Sequence, residues 1–285
     1  MTNVTSVPTH AKEQDLIYKV VGEREIALTF IPPINPIFEK APVYFEITGG
    51  GWCSGNRTNM INFARRSAEC LRERGWAVVS TDYRLINQDP DVTIDEVVSD
   101  VMDAVRYITK YADPLEIDPS KILAIGHSAG SHLAMMLAYA PHDLFRADSV
   151  LENDFSLMGC ISFSGISVLY PKQDGNISLG FSHDYLYRNK TYDDAAAHRC
   201  SPYDYITKDS VPTLFIHGSK DPLVFPENAT LPYHKGIECG ANFEMLISQN
   251  GGHCLESLVD GEPVYPTFGT VQWMIPGWVK KTFGI

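Results

Sequence analysis

The 285-residue chain has no run of basic residues longer than two, and its net charge is −12. An acidic chain repels phosphate backbones and anionic lipid surfaces, so neither nucleic acid nor a membrane surface is an expected partner. No stretch approaches the roughly 18 apolar residues that a membrane-spanning helix needs. Residues Met1–Gln14 carry neither a basic n-region nor an apolar h-region. The six cysteines (Cys53, Cys70, Cys160, Cys200, Cys239 and Cys254) include no C-x-x-C pair, so zinc-finger and dithiol chemistry are not indicated. Together these absences predict a cytoplasmic protein with reduced cysteines. There is no internal repeat, low-complexity tract or linker to mark a second domain. What remains is an ordinary globular composition, 44% hydrophobic and 20% charged, in a chain long enough to bury its own core. The expectation is one domain over residues 1–285. Nothing in the sequence reports on oligomeric state.

Apolar runs and helical periods alternate along the chain. Strands are predicted at Leu16–Val21, Glu25–Ile31, Val43–Thr48, Ala77–Asp82, Lys121–Gly126, Leu157–Phe163, Pro212–His217 and Phe243–Ser248. Several are short, continuous and rich in β-branched or aromatic residues, as strands covered on both faces are. The first two read as an antiparallel hairpin turning at Gly22 and Glu23. Helical periods run over Asn59–Arg74, Ile94–Tyr111 and Ala129–Ala140, with weaker ones at Glu227–Cys239 and Thr270–Lys281. This alternation predicts an α/β fold with a mainly parallel eight-stranded sheet flanked by helices. Residues 165–207 break the pattern. They have no clean period but carry Tyr170, Phe181, Tyr185, Tyr187, Tyr192, Tyr203 and Tyr205. A long aperiodic stretch inside a domain is commonly functional. Its aromatics could wall a ring-bearing substrate or form a small core of their own.

The sharpest motif is Gly126-His127-Ser128-Ala129-Gly130, placed after a predicted strand and opening a predicted helix. A tight strand-to-helix turn forces unusual dihedrals on the serine, and its flanking glycines allow the close backbone approach. The turn would hold the Ser128 hydroxyl out at the carboxyl edge of the sheet, as a nucleophile. A serine needs a base. His253, in the loop Asn250-Gly251-Gly252-His253-Cys254 after the last strand, is the best placed histidine. His132, one helical turn past Ser128, is expected to pack under the sheet edge. The base needs an orienting acid, and Asp221 follows the strand ending at His217. Asp209, Glu227 and Glu256 are the other acids available. Thr48-Gly49-Gly50-Gly51-Trp52 follows the third strand, where successive glycines can aim free N–H groups into a site. Gly50 and Gly51, with the amide of Ala129, are the candidate oxyanion donors. Trp52 is expected to anchor this loop, and Trp52, Tyr185 and Tyr187 are candidate substrate contacts.

Taken with Asp82-Tyr83-Arg84-Leu85 and Asp118-Pro119, these pieces resemble the α/β-hydrolase superfamily. The resemblance is to the branch holding hormone-sensitive-lipase-type esterases and lipases, kynurenine formamidases and small carbohydrate or feruloyl esterases. It covers roughly residues 16 to 283, and the order Ser128, Asp221, His253 follows that superfamily's triad. It implies an α/β-hydrolase fold in which residues 165–207 form a small cap and Tyr83 and Arg84 brace loops near the site. One departure is Thr48, where the family's oxyanion motif begins with histidine. The implied activity is hydrolysis of short-chain carboxylic esters through an acyl-enzyme, with acetyl or feruloyl esters of carbohydrates as candidates. No metal or cofactor is expected. Activity should fall as the base protonates, in the range where an imidazole ordinarily titrates, about 6.5. The nearest rival is an arylformamidase. From another class, the rival is a non-catalytic small-molecule receptor built on the same scaffold.

Overall fold

Every predicted strand forms, most within two residues of its predicted bounds. The computed structural model describes residues 12–88, 91–171 and 184–285. The strands are β1 (Gln14–Val21), β2 (Arg24–Ile31), β3 (Ala41–Ile47), β4 (Ala77–Thr81), β5 (Ile117–His127), β6 (Gly159–Phe163), β7 (Thr213–Gly218) and β8 (Phe243–Ser248). They make a sheet in the order β1-β2-β4-β3-β5-β6-β7-β8. β1 and β2 pair antiparallel, with Gly22 at φ +60° in their turn, and β2 meets β4 antiparallel. From β4 to β8 every pairing is parallel. β3 and β4 are buried along their whole length, which is why both are mostly apolar, with Glu46, Ser80 and Thr81 the exceptions.

The helices are α1 (Arg57–Phe63), α2 (Arg65–Glu73), α3 (Ile94–Lys110), α4 (Ala112–Leu115), α5 (Ala129–Tyr139), α6 (Asp194–Arg199), α7 (Glu227–Cys239) and α8 (Phe268–Phe283). The single helix predicted over Asn59–Arg74 is two. Ala64, at φ −89° and ψ 5°, ends α1 and begins α2, and the break lets both Met60 and Leu71 bury against the sheet. α3 starts at a capping box of Thr93 and Glu96, carries Asp95 and Glu96 in its first turn and Lys110 in its last. Two apolar layers result. α3 and α5 pack on one face with Phe45, Val79, Ala124 and Phe215. α1, α2 and α8 cover the other with Tyr44, Val78, Ile125 and Ile216.

Two buried sets of ionisable side chains stand out. Lys19 Nζ lies 2.9 Å from Asp100, 3.0 Å from Asp103 and 3.0 Å from Asp148, while Arg84 pairs with Asp100 at 2.7 Å. This network ties β1 to α3 and takes up Arg84. By contrast Glu46 on β3 is fully buried and neither carboxyl oxygen reaches a hydrogen-bond partner among the described residues. Burial pushes its pKa well up, so it is held as the neutral acid. All six cysteines are free. Among the described residues no helix is long and apolar enough to cross a membrane.

Candidate active site

The turn between β5 and α5 forces Ser128 to φ 56° and ψ −123°, a conformation costly for an L-residue. The flanking glycines are sterically obligatory. A Cβ on Gly126 would lie 2.1 Å from the carbonyl carbon of Gly130, and one on Gly130 would lie 2.1 Å from the Ile47 oxygen. The Ser128 amide donates to the Phe163 carbonyl at 2.9 Å, which pins the turn to the end of β6.

Asp221 lies in the turn after β7, buried to 3% exposure. Its Oδ1 accepts the amides of Leu223 at 2.9 Å and Val224 at 3.0 Å. Its Oδ2 faces Nδ1 of His253 at 2.7 Å. Burial alone would raise this carboxyl's pKa. Hydrogen bonds from His217, His253 and the Val224 amide outweigh it and hold the group well below the usual carboxylate range. Because Asp221 accepts, His253 carries its proton on Nδ1 and presents Nε2 as a base. The loop that carries His253 is pressed against the end of β7: a Cβ on Gly218 would lie 2.2 Å from the oxygens of both Gly251 and Gly252. Among the described residues no direct hydrogen bond joins Ser128 to His253. Such contacts are often long until substrate binds. The ring of His127, next to Ser128, lies 4.9 Å from that of His253 and so connects the two arms of the site.

The glycine loop closes over the serine. A Cβ on Gly49 would sit 3.2 Å from Ser128 Cβ and 2.6 Å from the His127 oxygen. Gly50, at φ +111°, has no room for a side chain, since a Cβ would lie 2.2 Å from the Ser54 oxygen. The amides of Gly50, Gly51 and Ala129 donate to no acceptor among the described residues. The Tyr83 hydroxyl donates to the Thr48 carbonyl at 3.0 Å, so the loop is braced from the motif that sequence reasoning assigned to bracing. A cavity of about 210 Å³ opens beside the loop, lined by Gly49, Gly50, Asn59, Met60, Phe63 and His127. His127 stacks on Phe63 at 4.4 Å, and burial pushes its pKa down to about 3, so it is a neutral wall.

Two predicted substrate contacts are corrected. Trp52 is 0% exposed, and its indole N–H donates to Nδ1 of His132 at 3.3 Å. It anchors the glycine loop from below. Tyr187 is buried and donates to the Leu169 carbonyl at 3.2 Å. It belongs to the packing of the 165–207 stretch. Tyr185 is half-buried, and its hydroxyl donates to the Gly51 carbonyl at 3.2 Å, beside the proposed oxyanion donors. Tyr170 stacks on His198 at 3.8 Å and bonds Asp204, and Tyr205 bonds the Arg199 carbonyl. The described tyrosines are thus mostly spent on local packing, and Phe181 lies outside the described residues. The alternative acids are engaged elsewhere: Asp209 pairs with Lys208, Glu256 accepts the Cys254 amide, and Glu227 opens α7. Sequence reasoning set His217 aside as a strand end. The structure puts its Nε2 3.3 Å from Asp221 Oδ2, and the spacing of four residues to the acid was the available signal.

Comparison with known proteins agrees with this architecture. The family model described as BD-FAE matches residues 34–235. The chain belongs to the BD-FAE family. Relatives in Mycobacterium tuberculosis include the probable carboxylic ester hydrolase LipM, 26% identical over 75% of this chain and 49% of that one. They also include the esterase LipQ, 24% identical over 75% of this chain and 50% of that one. This BD-FAE chain therefore spans about half the length of the curated relatives it matches. Among solved structures, the native thermophilic esterase Est2 of Thermogutta terrifontis aligns over 96% of this chain and 94% of that chain. The TM-score is 0.76 at 22% identity. The fold is that of the α/β-hydrolases, with its sheet order and its strand–serine–helix turn.

Proposed function

We propose that this BD-FAE chain is a serine carboxylic-ester hydrolase acting on short acyl esters. The observation that carries the reading is the 2.7 Å contact from His253 Nδ1 to the buried, ionised Asp221. It orients a base at the sheet edge that also bears the strained Ser128. In the proposed reaction Ser128 Oγ attacks the ester carbonyl while His253 Nε2 takes the hydroxyl proton. The amides of Gly50, Gly51 and Ala129 receive the oxyanion; removing one such donor typically costs about 3 kcal/mol. The tetrahedral intermediate expels the alcohol, which takes the proton from His253. Water, deprotonated by His253, then releases the acid from Ser128.

Size and family support the short-acyl reading. The cavity beside the loop is small, about 210 Å³, and is lined by glycine backbone, Thr48, Asn59, Met60 and the rings of Phe63 and His127. Est2 of Thermogutta terrifontis has been solved with propionate and with butyrate bound. Acetyl or feruloyl esters of carbohydrates remain our candidate natural substrates. We take residues 165–207 as a cap from which Tyr185 reaches the oxyanion loop. The test is turnover by wild type and Ser128→Ala of p-nitrophenyl acetate, butyrate and octanoate, methyl ferulate, an acetylated xylo-oligosaccharide and N-formylkynurenine. Short esters should be cleaved by wild type alone. Preference for N-formylkynurenine would replace the ester with an arylformamide. No turnover of any substrate, with binding retained, would replace the enzyme with a receptor.

A further inference from the structure

Behind the Asp221–His253 pair lies a second histidine whose contacts are only half accounted for. His217, the residue before the end of β7, is 0% exposed. Its Nε2 lies 2.8 Å from the Val224 carbonyl and 3.3 Å from Asp221 Oδ2. Both neighbours are acceptors, so Nε2 carries the proton and is shared between them. Nδ1 then offers a lone pair, yet it is buried with no partner among the described residues. One strand away, the Ser164 hydroxyl is also buried without a partner among the described residues. Phe163 pairs with Ile216 in the β6–β7 ladder, and the Ser164 amide donates to the Ile216 carbonyl at 2.8 Å, so the register sets Ser164 beside His217. Ser164 is also held at φ +48°, an uncommon conformation for a serine. An orphaned donor and an orphaned acceptor therefore belong to neighbouring residues at the ends of adjacent strands, whose backbones run about 4.8 Å apart. Buried polar groups are rarely left unpaired.

We propose that Ser164 and His217 form a buried relay, closed directly or through one water, that positions the triad acid. The Ser164 hydroxyl donates to His217 Nδ1 and so fixes the tautomer that donates from Nε2 to Asp221 Oδ2. Asp221 Oδ2 is thereby held between two imidazole N–H groups, with Oδ1 held by the Leu223 and Val224 amides. All four contacts favour the ionised acid and restrict its rotation, which fixes the direction of His253. His217 and Ser164 are positioning residues; neither reaches a substrate. This inference rests on the serine-esterase reading.

The test compares wild type with His217→Leu, His217→Gln, Ser164→Ala and the double variant Ser164→Ala/His217→Leu, using p-nitrophenyl acetate. His217→Leu should lower kcat roughly tenfold, the scale of a hydrogen bond to a charged group, and leave KM unchanged. His217→Gln, which keeps a side-chain N–H near the position of Nε2, should restore most of the loss. Ser164→Ala should lower kcat by a smaller factor, and the double variant should be no slower than His217→Leu, since residues acting through one another are not additive. Unfolding curves monitor stability separately. The proposal is overturned if His217→Leu lowers only stability, if glutamine is no better than leucine, or if the losses in the double variant multiply. Should His217→Leu fail to fold, Ser164→Ala and His217→Gln decide alone: unchanged kcat in Ser164→Ala overturns the relay. Absence of ester turnover in wild type would instead refute the underlying reading.

Discussion

Protonation of His132 should set part of the acid sensitivity of this fold. The ring is 0% exposed, and it accepts from the Trp52 indole at Nδ1 and faces the Cys200 carbonyl at 2.7 Å through Nε2. A proton on Nδ1 would set two donors against each other beneath the glycine loop. Burial accordingly pushes the ring's pKa down to about 4, against 6.5 for an ordinary histidine. As pH falls below 6.5 the unfolded chain takes up a proton that the folded chain refuses. The stabilisation is complete above pH 6.5, is lost as pH falls toward 4, and then stops changing. A pKa lowered that far corresponds to roughly 3 kcal/mol, with a slope of about 1.4 kcal/mol per pH unit inside that window. The assay is urea unfolding at several pH values between 7.5 and 4.5, for wild type and His132→Gln. The variant should be less stable at pH 7 but lose stability more slowly on acidification. Parallel pH dependences in the two proteins would refute the argument.

Two further outcomes follow from buried groups near the site. Glu46 has no partner among the described residues and is held neutral, whereas the unfolded chain ionises it above its ordinary pKa, so its cost grows as pH rises. Glu46→Met should therefore raise the stability at pH 8, by about 1–3 kcal/mol, and by less at pH 4, as read by denaturant midpoints. Tyr83→Phe removes the hydroxyl that holds the Thr48 carbonyl at 3.0 Å. It should lower kcat severalfold with KM little changed and stability down by about 1 kcal/mol; unchanged kcat would mean that the loop is held without it.

Legibility in the sequence tracked how directly a residue's surroundings follow from its neighbours in the chain. β3, β4 and the second half of β5 could be read because strands covered on both faces are largely apolar, whereas the first half of β5, with Asp118, Pro119 and Ser120, could not. Ser128 could be read because its turn demands glycine on both sides. The break at Ala64 could not, because both halves of that helix keep the same apolar stripe across it. Residues 165–207 gave no period because their described parts are short turns and α6, secured by hydroxyl-to-backbone bonds such as Tyr187 to Leu169. Trp52 read both as an anchor of the glycine loop and as a substrate contact, and the choice between them rests on His132, eighty residues on. His217 read as an ordinary strand end because its partners, Asp221 and Val224, meet it only once the turn after β7 has folded back.

The central claim is that Ser128 forms a covalent intermediate, and organophosphate labelling tests it most directly. Est2 of Thermogutta terrifontis has been solved phosphorylated by paraoxon. Incubating this chain with paraoxon and mapping the adduct by peptide mass spectrometry should give one diethylphosphoryl group, on Ser128, with esterase turnover lost in proportion. A chain that stays unlabelled at Ser128 while still turning over p-nitrophenyl acetate would contradict the account.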